Sequence, residues 1–159
     1  MWKPLFYGWM VVIDSDDQKM APIKMYPSMD ITLKQTETLL AKAKAKAIEI
    51  GIPMNVAILD TAGHLKGFIR MDNAFLGSID IAMKKAKTSM LFRMNSEEVG
   101  KFLRPEVAAY GMESSSDGLM GFAGGIPIKK DDQIIGYVGV SGGPIDQDFI
   151  VASAAAAID

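Results

Sequence analysis

From residue 31 onward the apolar positions fall into stretches of two different periods, which predict helices and strands in a definite order. In "DITLKQTETLLAKAKAKAIEIGIP" the residues Leu39, Leu40, Ala43, Ala47 and Ile50 recur at helical spacing. Thr32 and Gln35 form a capping-box pair ahead of them, and Gly51 with Pro53 ends the segment. A β-rich apolar run follows from Met54 to Asp60, then the turn residues Thr61, Ala62, Gly63 and His64, then a second run from Leu65 to Met71; together these predict a hairpin. Beyond Gly77, Ser78 is placed to cap a second helix, with Asp80 in its first turn and Ile79, Ala82, Ala86 and Met90 on one face. Asn95 and Glu98 suggest another capping box, opening a short helix that stops before Pro105.

The stretch from Arg104 to Asp117 has no period, and "ESSSDG" reads as a polar loop. Three short strands are expected next, at 119–123, 126–130 and 133–140, with a reversal at Gly124 and Gly125 and a turn in "KKDDQ". An alanine-rich helix in "SGGPIDQDFIVASAAAAID" closes the chain. Hairpins rather than crossover helices join most of these strands, so the order predicts an α+β fold, an antiparallel sheet flanked by helices.

Residues 1–30 keep no period and are broken by Pro4, Pro22 and Pro27, which marks them as an extension or oligomerisation arm in front of a single domain at 31–159. "MWKPLFYGWMVVID" has the basic start and apolar run of a signal peptide, but the run is short for a bilayer and "DSDDQK" offers no small-residue cleavage site. A cytoplasmic location is expected, with secretion left open.

Composition narrows the chemistry. A formal net charge of -2 gives no electrostatic case for nucleic acid or a membrane surface as partner. Lys42, Lys44 and Lys46 alternate with alanine and suit a solvated helix face. The chain has no cysteine, which removes disulfides, thiolate metal sites and a cysteine nucleophile together.

"GVSGG", Gly139 to Gly143, matches the serine-hydrolase elbow in letters only. That mechanism needs a parallel sheet and a histidine after the serine, whereas His64, the one histidine, comes long before Ser141. The backbone N–H groups of Ser141, Gly142 and Gly143 could instead hold an anion at a helix start, and Gly136 and Gly139 mark a close backbone approach. His64 alone cannot build a zinc site, but one imidazole suffices for an axial position on haem iron; an exposed turn residue is the other reading. Most of the twelve methionines suit core filling, although thioethers also ligate haem iron. Arg70 and Asp72 flank Met71 and share a face if the strand reaches that far, as an ion pair at a pocket rim or a tie to the next helix. Lys85 and Thr88 lie one helical turn apart and read by pattern as ordinary helix residues.

Three ordered segments, "AILDTAGHLKGFIRMDNAF", "IAMKKAKTSMLF" and "GGIPIKKDDQIIGYVGVSGGPIDQD", resemble the haem-binding HbpS-like and GlcG-like proteins, with which the carboxy-terminal domain of PduO-type cobalamin adenosyltransferase belongs. The resemblance runs from about residue 31 to the end. It implies a profilin-like α/β/α sandwich with a five-stranded antiparallel sheet, and a homo-oligomer. Several members bind haem, one is tied to haem breakdown and iron-linked redox sensing, and others accompany glycolate or diol metabolism in bacteria, so the resemblance implies a role in haem handling or in redox and iron sensing. Residue by residue, the D-x-x-G-H turn falls on Asp60, Gly63 and His64, the R-M-D signature on Arg70, Met71 and Asp72, and the K-A-x-T segment on Lys85, Ala86 and Thr88. The glycine-rich end falls on Gly124, Gly125, Pro127, Gly139, Ser141, Gly142 and Gly143. The expected function is binding of haem or a related tetrapyrrole in an apolar pocket rimmed by His64, Arg70, Asp72 and Thr88. His64 would meet the iron, and Arg70 or Lys85 the propionates. Two alternatives stand beside it. One is an enzyme acting on a small hydroxy or keto acid, with His64 or Asp72 as general base and the Ser141 turn holding the carboxylate. The other is an assembly protein without a ligand.

Overall fold

The computed structural model describes residues 30–158. The arm and signal-peptide expectations fall on residues before Asp30 and so lie outside the described residues. Helix α1 (Leu33–Ile50) opens on the expected box: Gln35 N donates to Thr32 Oγ1 and Thr32 N donates to Gln35 Oε1 at 2.9 Å, while left-handed Gly51 ends the helix. Strands β1 (Asn55–Leu59) and β2 (Leu65–Arg70) form the expected hairpin. Helix α2 (Gly77–Phe92), the short α3 (Ser96–Gly100) and a 3-10 turn (Met112–Ser114) follow. Strands β3 (Gly125–Lys130) and β4 (Gln133–Ser141) turn tightly at Asp131 and Asp132, both with positive φ, and α4 (Ile145–Ala156) ends the fold.

The described sheet has four strands, not five, in the order β2-β1-β4-β3 and antiparallel throughout. The strand expected at 119–123 is absent because its backbone is satisfied elsewhere. Met120 N donates to Thr88 Oγ1 at 2.8 Å, the Phe122 carbonyl accepts from Ser96 Oγ, and Leu119 N donates to the Glu113 carbonyl. Two expected caps also differ. Helix α2 starts at Gly77 with no side-chain cap, Ser78 lying buried inside it, and Asn95 spends its amide on Glu97 Oε1 instead of closing a box with Glu98.

Helices α1 and α4 cover one face of the sheet, where Leu39, Ala43, Ala47, Val151, Ala152 and Ala155 pack on Val56, Ile58, Val138 and Val140. Helix α2 covers the other face, packing over β4, β1 and β3. Its approach depends on two glycines paired across the ladder, Gly125 and Gly139. A Cβ on Gly139 would lie 2.0 Å from the Ala82 carbonyl oxygen, and one on Gly125 2.2 Å from that of Lys85. The helix backbone therefore rests on the strand backbone, which lowers its inward side chains to the level of the sheet. Of the three alternating lysines, Lys44 is exposed as expected, whereas Lys46 pairs with Glu49 and Lys42 donates to the Ala157 carbonyl.

Candidate functional site

Two regions on the α2 side of the sheet carry the chemistry, one at each end of β1. The first is the hairpin tip. Asp60 organises it: Oδ1 accepts from His64 N at 2.8 Å and Ala62 N at 3.0 Å, and the Asp60 N–H donates to the His64 carbonyl. Gly63, at φ 87°, makes the turn and lets the Met90 methyl group pack against it. The His64 side chain is 80% exposed, with Nδ1 3.4 Å from Asp60 Oδ2 and Nε2 without a partner among the described residues. A strip of side chains leads away from it. The register sets Leu65 opposite Leu59, Phe68 opposite Ala57 and Arg70 opposite Asn55, all on the α2 side, beyond the area that the helix covers. Leu65 is exposed and Phe68 is half-buried, while Met83 and Met90 of α2 pack against the neighbouring buried Leu59 and Tyr137.

The second region is an open cleft of about 490 Å³ beside the start of α2, lined among others by Phe75, Ser78, Lys85, Phe122, Ser141 and Asp148. Its floor is a buried ion pair. Lys85 Nζ donates to Asp148 Oδ2 at 2.6 Å and to the Val140 carbonyl at 3.0 Å, and the two side chains are 2% and 3% exposed. Asp148 Oδ1 accepts from Gly142 N and Gly143 N, each at 3.1 Å. Burial pushes the Lys85 ammonium below the ordinary lysine range, against the pull of Asp148 and, more weakly, of Glu97. Position follows from the fold: α2 is lowered on Gly125 and Gly139, and Asp148 stands in the first turn of α4, where the helix dipole favours a carboxylate.

The site residues expected from the sequence thus separate. Lys85, Ser141, Gly142 and Gly143 meet at the cleft, but the turn amides of Gly142 and Gly143 hold the chain's own Asp148, and Lys85 is engaged by that same carboxylate. Thr88 is fully buried and binds Met120. Arg70 ends β2 and is exposed; Asp72 lies past the strand, and no ion pair joins the two among the described residues. His64 stands at the far end of β2. Arg70, Asn55 and Ser141 line up across β2, β1 and β4, so the strip that starts at His64 ends near the cleft.

Asp148 is the residue that sequence reasoning missed. Its signal lies in α2, where Ser78, Ala82, Lys85 and Ser89 fall on one buried stripe: a lysine on such a stripe requires an acidic partner.

Comparison with known proteins agrees with the motifs. The family model described as "Haem degrading protein HbpS-like" matches residues 31–157. An uncharacterized 15.0 kDa protein from the dhaT-dhaS intergenic region of Citrobacter freundii is 34% identical over 126 residues, 79% of this chain and 89% of the relative. Klebsiella pneumoniae protein ORFY superposes with a TM-score of 0.78 at 31% identity, covering 84% of this chain and 92% of that one. The PduOC structure solved as a haem complex gives 0.76 at 31% identity, covering 80% and 93%. With the family model spanning the domain and these relatives matching over most of their length, the chain belongs to the HbpS-like family.

Proposed function

We propose that this protein binds haem against the uncovered strip of β2, with His64 as the axial ligand. The observation that carries the reading is the His64 imidazole itself, held at the end of an apolar strip with its Nδ1 edge toward Asp60 and its Nε2 open. A carboxylate behind the distal ring nitrogen is the usual way a metal-binding histidine is oriented. Leu65, Phe68, Met83 and Met90 provide apolar and polarisable surface for a macrocycle, and Arg70 at the other end of the strip supplies a cation for a propionate. Bound there, haem supplies a redox-active iron; the chain supplies the imidazole, the apolar face and the charge. Lys85 and Thr88, both buried and internally bonded, take no part.

The same reading includes a homo-oligomer. Leu33, Ile48 and Leu76 are large apolar side chains more than half exposed and lie outside the cleft lining, and a second copy is the simplest cover for them. Light scattering behind size exclusion reads the mass directly, and a monomer at micromolar concentration overturns this part.

The test of haem binding is a hemin titration of the full chain followed by absorbance. A saturable Soret shift is expected, altered in His64→Ala and weakened in Arg70→Ala. A shift identical in wild type and His64→Ala overturns the ligand assignment, and no saturable shift overturns haem binding.

A further inference from the structure

The cleft floored by Lys85 lies outside the strip, and the haem reading leaves its chemistry unused. A lysine and an aspartate buried as a pair stabilise a fold less than apolar side chains of similar volume would, so an ion pair at the base of an open cleft points to reactivity rather than packing. Lys85 Nζ spends two protons on Asp148 and Val140, and its third has no acceptor among the described residues. Ser78 and Ser141 share the cleft, and neither hydroxyl is engaged by another described residue. Phe75, Phe122 and Ile145 form apolar walls around them.

We propose that the cleft captures small uncharged aldehydes as an imine on Lys85. The ammonium first passes a proton to Asp148 Oδ2, 2.6 Å away. The neutral amine adds to the carbonyl carbon, the serine hydroxyls donate to the carbonyl oxygen, and the resulting carbinolamine loses water to leave a C=N bond to Nζ. Aldehyde and amine thus become imine and water, with no change of oxidation state. Hydrolysis reverses each step, so the cleft holds and releases its ligand without a co-reactant. Burial, which lowers the proton affinity of Lys85, increases the share of amine in the reactive form.

Acetaldehyde with sodium cyanoborohydride at neutral pH traps such an imine as an ethylated lysine, which peptide mass mapping locates. Lys85 is expected to be labelled at least about ten-fold faster than exposed Lys44 and Lys66, despite being far less accessible. Ser141→Ala should slow labelling of Lys85 by about five-fold, the equivalent of one hydrogen bond, with an unchanged melting temperature. Labelling of Lys85 at or below the rate of Lys44 and Lys66 overturns the proposal. His64→Ala leaves the Lys85 rate unchanged, so this result and the haem titration fail or succeed separately.

Discussion

At the scale of single residues, Asp148 ties together three groups at the base of the cleft: the buried Lys85 ammonium and the half-buried Gly142 and Gly143 amides. Asp148→Ala strands the Lys85 ammonium and leaves the Gly142 and Gly143 amides without their acceptor. Removing one member of such a pair costs about 3–5 kcal/mol. Urea denaturation should show that loss, and Lys85→Met combined with Asp148→Ala should cost clearly less than the two single changes added. Strict additivity would contradict the pairing. His64 is the opposite case: 80% exposed, its replacement by alanine should move stability by no more than about 0.5 kcal/mol, so any effect on haem is not a folding effect. Tyr137 sets a pH limit. The residue is 3% exposed, and burial raises its phenol above the ordinary value of 10.0, against the smaller opposing pull of Arg93. The folded state therefore keeps that proton where the unfolded chain has already lost it. Deprotonation favours unfolding, and stability falls as pH rises past 10.0. Tyr137→Phe should flatten that alkaline decline in thermal melts recorded across the range; an unchanged slope would assign it to another group.

At the scale of elements, the seat of α2 on the sheet governs most of what the molecule can do. Gly139→Ala places a methyl group 2.0 Å from the Ala82 carbonyl and must lift the helix, at a cost of about 1–3 kcal/mol or more. Gly77→Ala, at the start of the same helix with nothing nearby, should instead stabilise by about 0.5–1 kcal/mol. Denaturation midpoints moving in opposite directions would confirm the contact. Much of this was legible from spacing: the α1 box, the hairpin and the Gly139 approach each rest on local chemistry that neighbouring residues declare. The segment at 119–123 was not, because an apolar run beside two glycines looks like a strand whether its backbone bonds to a ladder or to Thr88 and Ser96. The buried pair was legible by half. Lys85 sits on a readable stripe, but nothing in the local pattern around Asp148 distinguishes it from Asp146, two residues earlier and exposed.

For the whole molecule, the family and the α+β layout follow from ordered motifs, whereas the placement of the site does not. Two motifs carried by one hairpin end up apart: Gly63 and His64 stand at its tip, Arg70 and Asp72 at the opposite end of β2. Among the described residues no helix is long and apolar enough to cross a membrane. Both candidate regions lie on the side that α2 only partly covers, so the two ligands inferred here would approach the same face.

The Gly142 and Gly143 amides hold a carboxylate that the chain carries with it. A tethered group competes as if present at millimolar concentration or higher, on the order of what a short linker gives, and it is already aligned. Dissolved acids at similar concentrations face a rival that never diffuses away. The cleft is in effect buffered against anions: acetate, phosphate or a keto acid should leave its melting temperature unmoved, while a neutral molecule meets no such competition. Self-occupancy of this kind turns an anion cradle into a filter that selects by charge before shape is consulted.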